Sequence, residues 1–222
     1  MGMKKSLLAA CVLSGAAAAH ADVKAAPGYC NTTYEVTITN LTLAQVLSPP
    51  LVVSHAPGVH LYAVGEPASE GLEALAEGGD TSVLTAALLD DPAVCAAETG
   101  ADVVPPGHSL RVLVKGSRQS VFSFATMLVN TNDAFAAADG VAAPLARQAV
   151  TRMVPAYDAG SELNDESCAH VPGPACGGAG TGADDGEGFV HVHRGIHNVG
   201  DLAADEYDWR NPAARVEIRR VR

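Results

Sequence analysis

The chain has 222 residues, of which 48% are hydrophobic and 5% aromatic, and its formal net charge is −11. This length favours a single domain with one substantial core, and the scarcity of aromatic residues means that aliphatic side chains must build that core. The excess of acid argues against nucleic acid and anionic membrane surfaces as partners, because both attract basic patches.

The first 21 residues have the composition of a secretory signal peptide. Lys4 and Lys5 precede a short apolar stretch, and residues 19–21 (Ala-His-Ala) form a small-x-small cleavage site. Lipidation at Cys11 is the weaker interpretation, because few apolar residues precede it. Cleavage removes Lys4 and Lys5 but no acid, so the net charge becomes −13. No later segment is apolar enough to span a bilayer, so we expect a secreted protein, extracellular or periplasmic, with no membrane span.

Four cysteines remain after cleavage, namely Cys30, Cys95, Cys168 and Cys176. An even number in an oxidising compartment predicts two disulfides, although four cysteines allow three pairings. Cys168 and Cys176 enclose a short loop with proline and glycine, which makes them the natural local pair. Cys30 and Cys95 would then join the first strand to the segment after the helices. Four free thiols are a weaker alternative, because thiols outside the cytosol are usually oxidised. A zinc site is also a weaker alternative, since no Cys-x-x-Cys spacing occurs.

The first half of the chain combines one clear strand with a helical insertion. Tyr34–Asn40 alternates apolar and polar residues, as a half-buried strand does. Residues 43–58 are broken by proline and indicate a meandering connection, followed by a short strand over 60–64. The apolar spacing then changes and predicts a helix over residues 67–76 that ends at two glycines. Asp80 is the expected N-cap of a second helix, which stops before a proline.

The second half returns to strands. Ser109–Val114 and Ser120–Val129 flank a tight turn and form the best hairpin candidate. Residues 173–188 are rich in glycine and predict a flexible loop. Phe189–His193 and Ala213–Val221 alternate again and predict two more strands. We therefore expect a mainly β protein, an antiparallel β-sandwich with a short helical insertion.

Acidic residues follow two of the apolar runs. Asp133 comes shortly after the strand predicted over residues 120–129, and Asp158 stands before Gly160. Two acidic loops brought to one end of a β-structure suit a hard, oxygen-seeking cation such as Ca²⁺. The plainer alternative is that these side chains only cap their own turns.

Several segments in order resemble the spondin domain of F-spondin, mindin and secreted bacterial proteins. The resemblance extends from residue 34 to residue 222, after a signal peptide over 1–21 and a lead-in over 22–33. Its segments are Tyr34–Asn40, Gly71–Gly79, Asn132-Asp133 with Phe135, Tyr157–Gly160 with Glu162, and Ala214–Ile218.

The resemblance implies a C2-like sandwich with a divalent cation, calcium, at one end. Asp133 and Asp158 match acidic ligand positions of the family. The strand over residues 110–115 lacks the third acid that the animal domains lead us to expect, so either the site is weaker here or Glu162, Asn132 or a backbone carbonyl fills the gap. The implied function is non-enzymatic adhesion or recognition of an extracellular protein or glycan.

A second cluster contains His191, His193 and His197. In a strand, His191 and His193 lie on the same face, which suits a transition metal. The segment is similar to the His-x-His element of copper–zinc superoxide dismutases, so the alternative function is a secreted copper or zinc metalloprotein or metalloenzyme. The chain lacks the zinc loop of those enzymes, and exposed polar histidines are the plainer interpretation. It also contains no hydrolase elbow, phosphate-binding loop or His-Glu-x-x-His helix, so we predict no enzymatic activity.

Overall fold

The computed structural model describes residues 30–146, 148–180, 182 and 186–221. The predicted signal peptide and residues 22–29 of the predicted lead-in lie outside this range, as do residues 181 and 183–185 of the predicted flexible loop. Within the described part, no helix is long and apolar enough to cross a membrane.

Two antiparallel sheets form the predicted sandwich, one with strand order β4-β1-β10-β7 and one with order β3-β2-β5-β6-β8-β9. The elements are β1 Thr32–Asn40, β2 Leu51–His55, α1 Glu70–Gly78, α2 Ser82–Leu89, β3 Val94–Thr99, β4 Ser109–Gly116, β5 Val121–Met127, β6 Ala134–Ala142, β7 Val150–Val154, β8 Ala156–Asp158, β9 His191–Val192, α3 Ala204–Tyr207 and β10 Ala214–Arg220.

The four-stranded sheet has one buried face and one face in water. Tyr34, Val36 and Ile38 point from β1 into the core between the sheets, as the alternation predicted. The outward side chains of β1 and its neighbours are polar or charged, among them Arg111 and Glu217, with the exception of Leu113. This one-sided burial explains why β1 and β10 alternate clearly in sequence.

The six-stranded sheet is covered on both faces. Phe122 and Phe124 face the core between the two sheets. Val53 and Phe135 face the opposite way and pack with side chains of α1 and α2 in a second apolar cluster. Strands buried on both faces need apolar residues at nearly every position, so their sequences do not alternate.

Both predicted helices are present. Ser69 is the N-cap of α1 and accepts a hydrogen bond from the Leu72 backbone N–H, and Gly79 ends the helix with φ 70°. The N-cap of α2 is Thr81 rather than the predicted Asp80, but the Asp80 carboxylate accepts a hydrogen bond from the Ser82 backbone N–H. The prediction was therefore wrong by one residue in position and right about the contact.

Three predictions about strands are wrong. β4 and β5 do not form a hairpin, because β4 pairs with β1 and β5 pairs with β2 and β6 in the other sheet. The connection predicted over residues 43–58 contains β2, an interior strand of the six-stranded sheet. Residues 60–64 form no strand. A tight turn can lead the chain into the other sheet as easily as it can reverse the chain direction within one sheet.

The two predicted disulfides are present. Cys30, just before β1, is bonded to Cys95 in β3, so this bridge joins the two sheets across 65 residues of sequence. Cys168 is bonded to Cys176 across a separation of 8 residues. The second bridge braces the long connection between β8 and β9.

Candidate metal centre

The candidate centre lies at one edge of the six-stranded sheet, on its last two strands, β8 and β9. β8 pairs with β6 on one side and with β9 on the other, and Asp158 is the register partner of both Ala134 and His191. Register partners on neighbouring strands point to the same side of a sheet. The pairing therefore brings the Asp158 and His191 side chains together, and Glu187 lies four residues before His191.

Asp158, Glu187 and His191 form a group whose potential ligand atoms all lie within 4.8 Å of one another. The Nε2 atom of His191 is 3.6 Å from Oδ1 of Asp158 and 3.6 Å from Oε2 of Glu187. These separations are too long for hydrogen bonds. Two ligands bound to one ion at about 2.1 Å in tetrahedral geometry would be about 3.4 Å apart, so the spacing fits a shared metal ion.

The two nitrogens of His191 have different environments. Nδ1 lies 3.2 Å from the Val192 carbonyl oxygen, to which it can only donate. Nε2 is buried and has no hydrogen-bond partner among the described residues. Burial disfavours protonation of His191, but the Val192 carbonyl and the carboxylates of Asp158 and Glu187 outweigh it and raise the pKa of the imidazole. Nε2 thus faces two carboxylates, where either a proton or a metal ion would balance the charge.

His193 lies on the same side but is bonded through both nitrogens. Its Nδ1 accepts a hydrogen bond from the Gly195 backbone N–H at 2.9 Å, and its Nε2 lies 3.0 Å from Oδ1 of Asn164. The ring packs against Trp209 with centroids 5.0 Å apart, and burial lowers the pKa of His193 to about 3. His193 is therefore a neutral imidazole. His197, the third predicted histidine, is exposed and lies outside the group.

Asp158 is fully buried at the centre of the site. Its Oδ1 accepts a hydrogen bond from the Gly160 backbone N–H at 2.8 Å, and its Oδ2 accepts one from Nδ2 of Asn164 at 2.7 Å. Burial raises the pKa of the Asp158 carboxyl despite these bonds. The turn cap expected as the plainer alternative is therefore real, but it uses only part of the carboxylate.

Asp133 is also fully buried, on the chain segment that enters β6 next to β8. Its Oδ2 accepts hydrogen bonds from the backbone N–H groups of Ser161 and Glu162 at 2.9 and 3.1 Å. Its Oδ1 is buried without a hydrogen-bond partner in the described parts of the chain. Burial, followed by repulsion from Asp158, raises the pKa of Asp133 to about 8. Asp158 thus influences the charge of Asp133, but Asp133 does not belong to the group of three close ligands.

The other two predicted ligands have structural contacts. Glu162 is buried, and its Oε1 accepts a hydrogen bond from the Gly182 backbone N–H at 2.8 Å. The amide of Asn132 donates to Asp165 at 3.0 Å and accepts from the Glu166 backbone N–H at 3.2 Å. Both side chains hold loops around the site, and neither belongs to the group of three close ligands.

Glu187 was not predicted as a ligand. It lies near the end of the glycine-rich segment over residues 173–188, for which the sequence predicted only a flexible loop. The Glu-x-x-x-His spacing from Glu187 to His191 was the available signal, but it becomes informative only once β9 is known to pair with β8.

Comparison of the chain with models of known protein families gives no match, and comparison with curated proteins gives none either. The case for a function therefore depends on the geometry of the site and on the sequence.

Proposed function

We propose that the protein is an exported β-sandwich that binds a divalent cation at the end of its six-stranded sheet and uses that end to recognise an extracellular component. The observation that carries this proposal is the convergence of Asp158, Glu187 and His191, with ligand atoms within 4.8 Å of one another. Glu187 is exposed, but Asp158 is fully buried, and a buried carboxylate with a second carboxylate nearby is costly unless a counter-charge compensates it. A cation at this position would supply that charge.

The environment of Asp133 supports the same proposal. Its Oδ1 is buried without a hydrogen-bond partner in the described region, and a buried acceptor without a partner carries a desolvation cost of about 1–3 kcal/mol or more. A nearby cation would lower that cost. The spondin resemblance implies that this cation is calcium, whose preferred ligands are carboxylate and other oxygens.

Export and recognition rest on different observations. Two disulfides suit an oxidising compartment outside the cytosol, and the sequence of residues 1–21 fits a secretory signal. The spondin resemblance supports adhesion or recognition of an envelope or matrix component, with an extracellular protein or glycan as the partner. A fold does not determine its ligand, so the partner is proposed only as a class.

Thermal unfolding of the mature, disulfide-bonded chain tests cation binding. A cation that binds only the folded state adds about 2.7 kcal/mol at a hundredfold excess over its dissociation constant. We expect EDTA to lower the melting temperature of the wild type and to leave Asp158→Ala unchanged. Asp90→Ala, at the exposed end of α2, is the matched control and should respond like the wild type. Melting of the wild type that is indifferent to EDTA, Ca²⁺ and Zn²⁺ would refute the proposal.

One observation favours a metalloenzyme as the second candidate. Three protein ligands are the number that catalytic zinc sites commonly use, with the remaining position open to water or substrate. Superoxide dismutation and ester hydrolysis should be assayed with Zn²⁺ or Cu²⁺ bound. Turnover that disappears in His191→Gln would favour this candidate over the recognition module.

A further inference from the structure

The two histidines beside Asp158 differ in whether a nitrogen lone pair is available. His191 donates through Nδ1 to the Val192 carbonyl, which leaves the lone pair of the neutral ring on Nε2, facing the carboxylates of Asp158 and Glu187. Metal-binding histidines very often donate their other nitrogen to a backbone carbonyl in this way. His191 therefore has the arrangement of a ligand before any ion is bound.

His193 has the opposite arrangement. The Gly195 backbone N–H can only donate, so Nδ1 of His193 must accept and the ring hydrogen must lie on Nε2. That hydrogen points at Oδ1 of Asn164, 3.0 Å away. No lone pair remains for a metal, although Nε2 of His193 is only 3.7 Å from Oδ2 of Asp158.

A chain of hydrogen bonds leads from His193 through Asn164 to the carboxylate of Asp158. Because Asn164 accepts through Oδ1 from His193, its Nδ2 is the atom that donates to Oδ2 of Asp158 at 2.7 Å. A flipped Asn164 amide would place N–H groups against the N–H of His193. Asn164 thereby holds the Asp158 carboxylate in one orientation. In this orientation Oδ2 accepts the hydrogen bond from Asn164, and Oδ1 lies 3.6 Å from Nε2 of His191.

The donor set also discriminates between ions. Calcium takes six to eight oxygen ligands in its sites, whereas imidazole nitrogen suits zinc and its neighbours. The group supplies one nitrogen and two carboxylates, with separations that fit metal–ligand bonds of about 2.1 Å. The imidazole nitrogen and the small number of carboxylate ligands, rather than the separations, point away from calcium and towards a smaller, borderline ion.

We infer that Asp158, Glu187 and His191 bind a transition-metal ion of the zinc class, and that His193 is a positioning residue that orients Asp158 through Asn164. This inference rests on the proposed function, since it specifies the ion and the supporting residues of the same site. It separates two histidines that a His-x-His spacing would treat as equivalent ligands.

Chelator-competition titrations of the mature chain with Zn²⁺ and Ca²⁺ test the choice of ion. We expect Zn²⁺ to bind one-to-one and to stay bound in about millimolar Ca²⁺, the range of extracellular calcium sites. Binding of Ca²⁺ in preference to Zn²⁺ would overturn this inference and leave the proposed function standing. A wild type that binds neither ion would overturn both.

Four variants test the roles of the two histidines. His191→Gln removes a ligand and should weaken Zn²⁺ binding most. Asn164→Leu and His193→Leu break the positioning contact and should weaken it roughly 10–100-fold. His193→Gln keeps an N–H that can donate to Asn164 and should bind nearly like the wild type. His108→Gln, on an exposed turn outside the site, is the control and should bind like the wild type.

A loss in His193→Gln as large as that in His191→Gln would make His193 a ligand and overturn its positioning role. Asn164 is only half-buried, so Asn164→Leu keeps this test available if His193→Leu fails to fold. Nitrogen-15 NMR of the metal-free chain provides a readout that is independent of binding. It should show a neutral His193 with its hydrogen on Nε2, and a hydrogen on Nδ1 would contradict the inference.

Discussion

The two sheets of the sandwich differ in what covers them. The four-stranded sheet presents one face to water, with residues such as Leu113 exposed at 60%, whereas the six-stranded sheet lies between the first sheet and the helices. Only the six-stranded sheet carries the candidate metal centre. A strand with packed side chains on both faces can hold a ligand such as Asp158 in a fixed position. The exposed face of the other sheet has no such packing. The doubly covered sheet therefore holds one ligand, Asp158, in its buried layer, while His191 and Glu187 lie at its edge.

The largest expected effect comes from truncating a side chain between the helices and the six-stranded sheet. Phe135 is fully buried, with its ring against those of Tyr62 and Tyr157. Phe135→Ala should reduce the free energy of unfolding by about 3–5 kcal/mol, through lost burial and the cavity left behind. Leu113→Ala, on the outer face of the four-stranded sheet, should stay within about 0.5 kcal/mol. Urea denaturation of both variants measures the contrast, and equal effects would break the comparison.

The next effect compares how much each disulfide stabilises the fold, the bridge that joins the two sheets and the bridge that closes a local loop. In the chain-entropy description, a bridge across 65 residues stabilises by about 4 kcal/mol and one across 8 residues by about 2.5 kcal/mol. The paired substitution of Cys30 and Cys95 by Ser should therefore lower the melting temperature more than the same change at Cys168 and Cys176. The reverse order would mean that the connection between β8 and β9 limits stability more than the link between the sheets.

The smallest expected effect is the pH dependence of stability that comes from the groups of the candidate centre. The folded-state pKa of Asp133 is raised from 3.8 to about 8, so the folded protein binds a proton there that the unfolded chain has already lost. Its contribution to stability is present below pH 3.8 and is lost as the pH rises to about 8. The raised pKa of His191 acts in the same direction above pH 6.5. His193 has the opposite sign, but its effect is confined to pH values below 6.5.

We therefore expect the metal-free protein in EDTA to lose stability between pH 6.5 and pH 8, and Asp133→Asn to reduce that loss. Saturating metal should remove it, because the ion takes the place of the protons. Denaturation midpoints across this range provide the measurement. A metal-free wild type whose stability rises over the same interval would contradict the assignment.

The comparison of the sheets also explains which parts of the fold the sequence could predict. β1 alternates because one of its faces is in water, and its burial was predicted residue by residue. β2 and the alanine-rich β6 are covered on both faces and carry no such alternation, so neither was predicted. The false hairpin of β4 and β5 has a related cause, because the turn between them gives no sign that the chain changes sheets.

The candidate site could be predicted only in fragments. Asp158 and His191 were each singled out, but in two separate clusters, since nothing local indicates that β9 pairs with β8 across more than 30 residues of sequence. Glu187 was missed for the same reason. Asp133 and Asp158 were predicted to lie at one end of the β-structure because each follows an apolar run, and in the structure the charge of Asp158 helps to raise the pKa of Asp133.

The shortness of β9 has a consequence for how fast an ion could leave. β9 is a two-residue strand at the edge of its sheet, and it carries His191. Edge segments with few backbone hydrogen bonds open locally far more often than the whole domain unfolds. Each opening would remove one ligand while Asp158 stays in place, so fraying of β9 would set the dissociation rate of a bound ion. Hydrogen exchange at the backbone amides of His191 and Val192 should then slow when metal is added, while exchange in the middle of β1 stays unchanged.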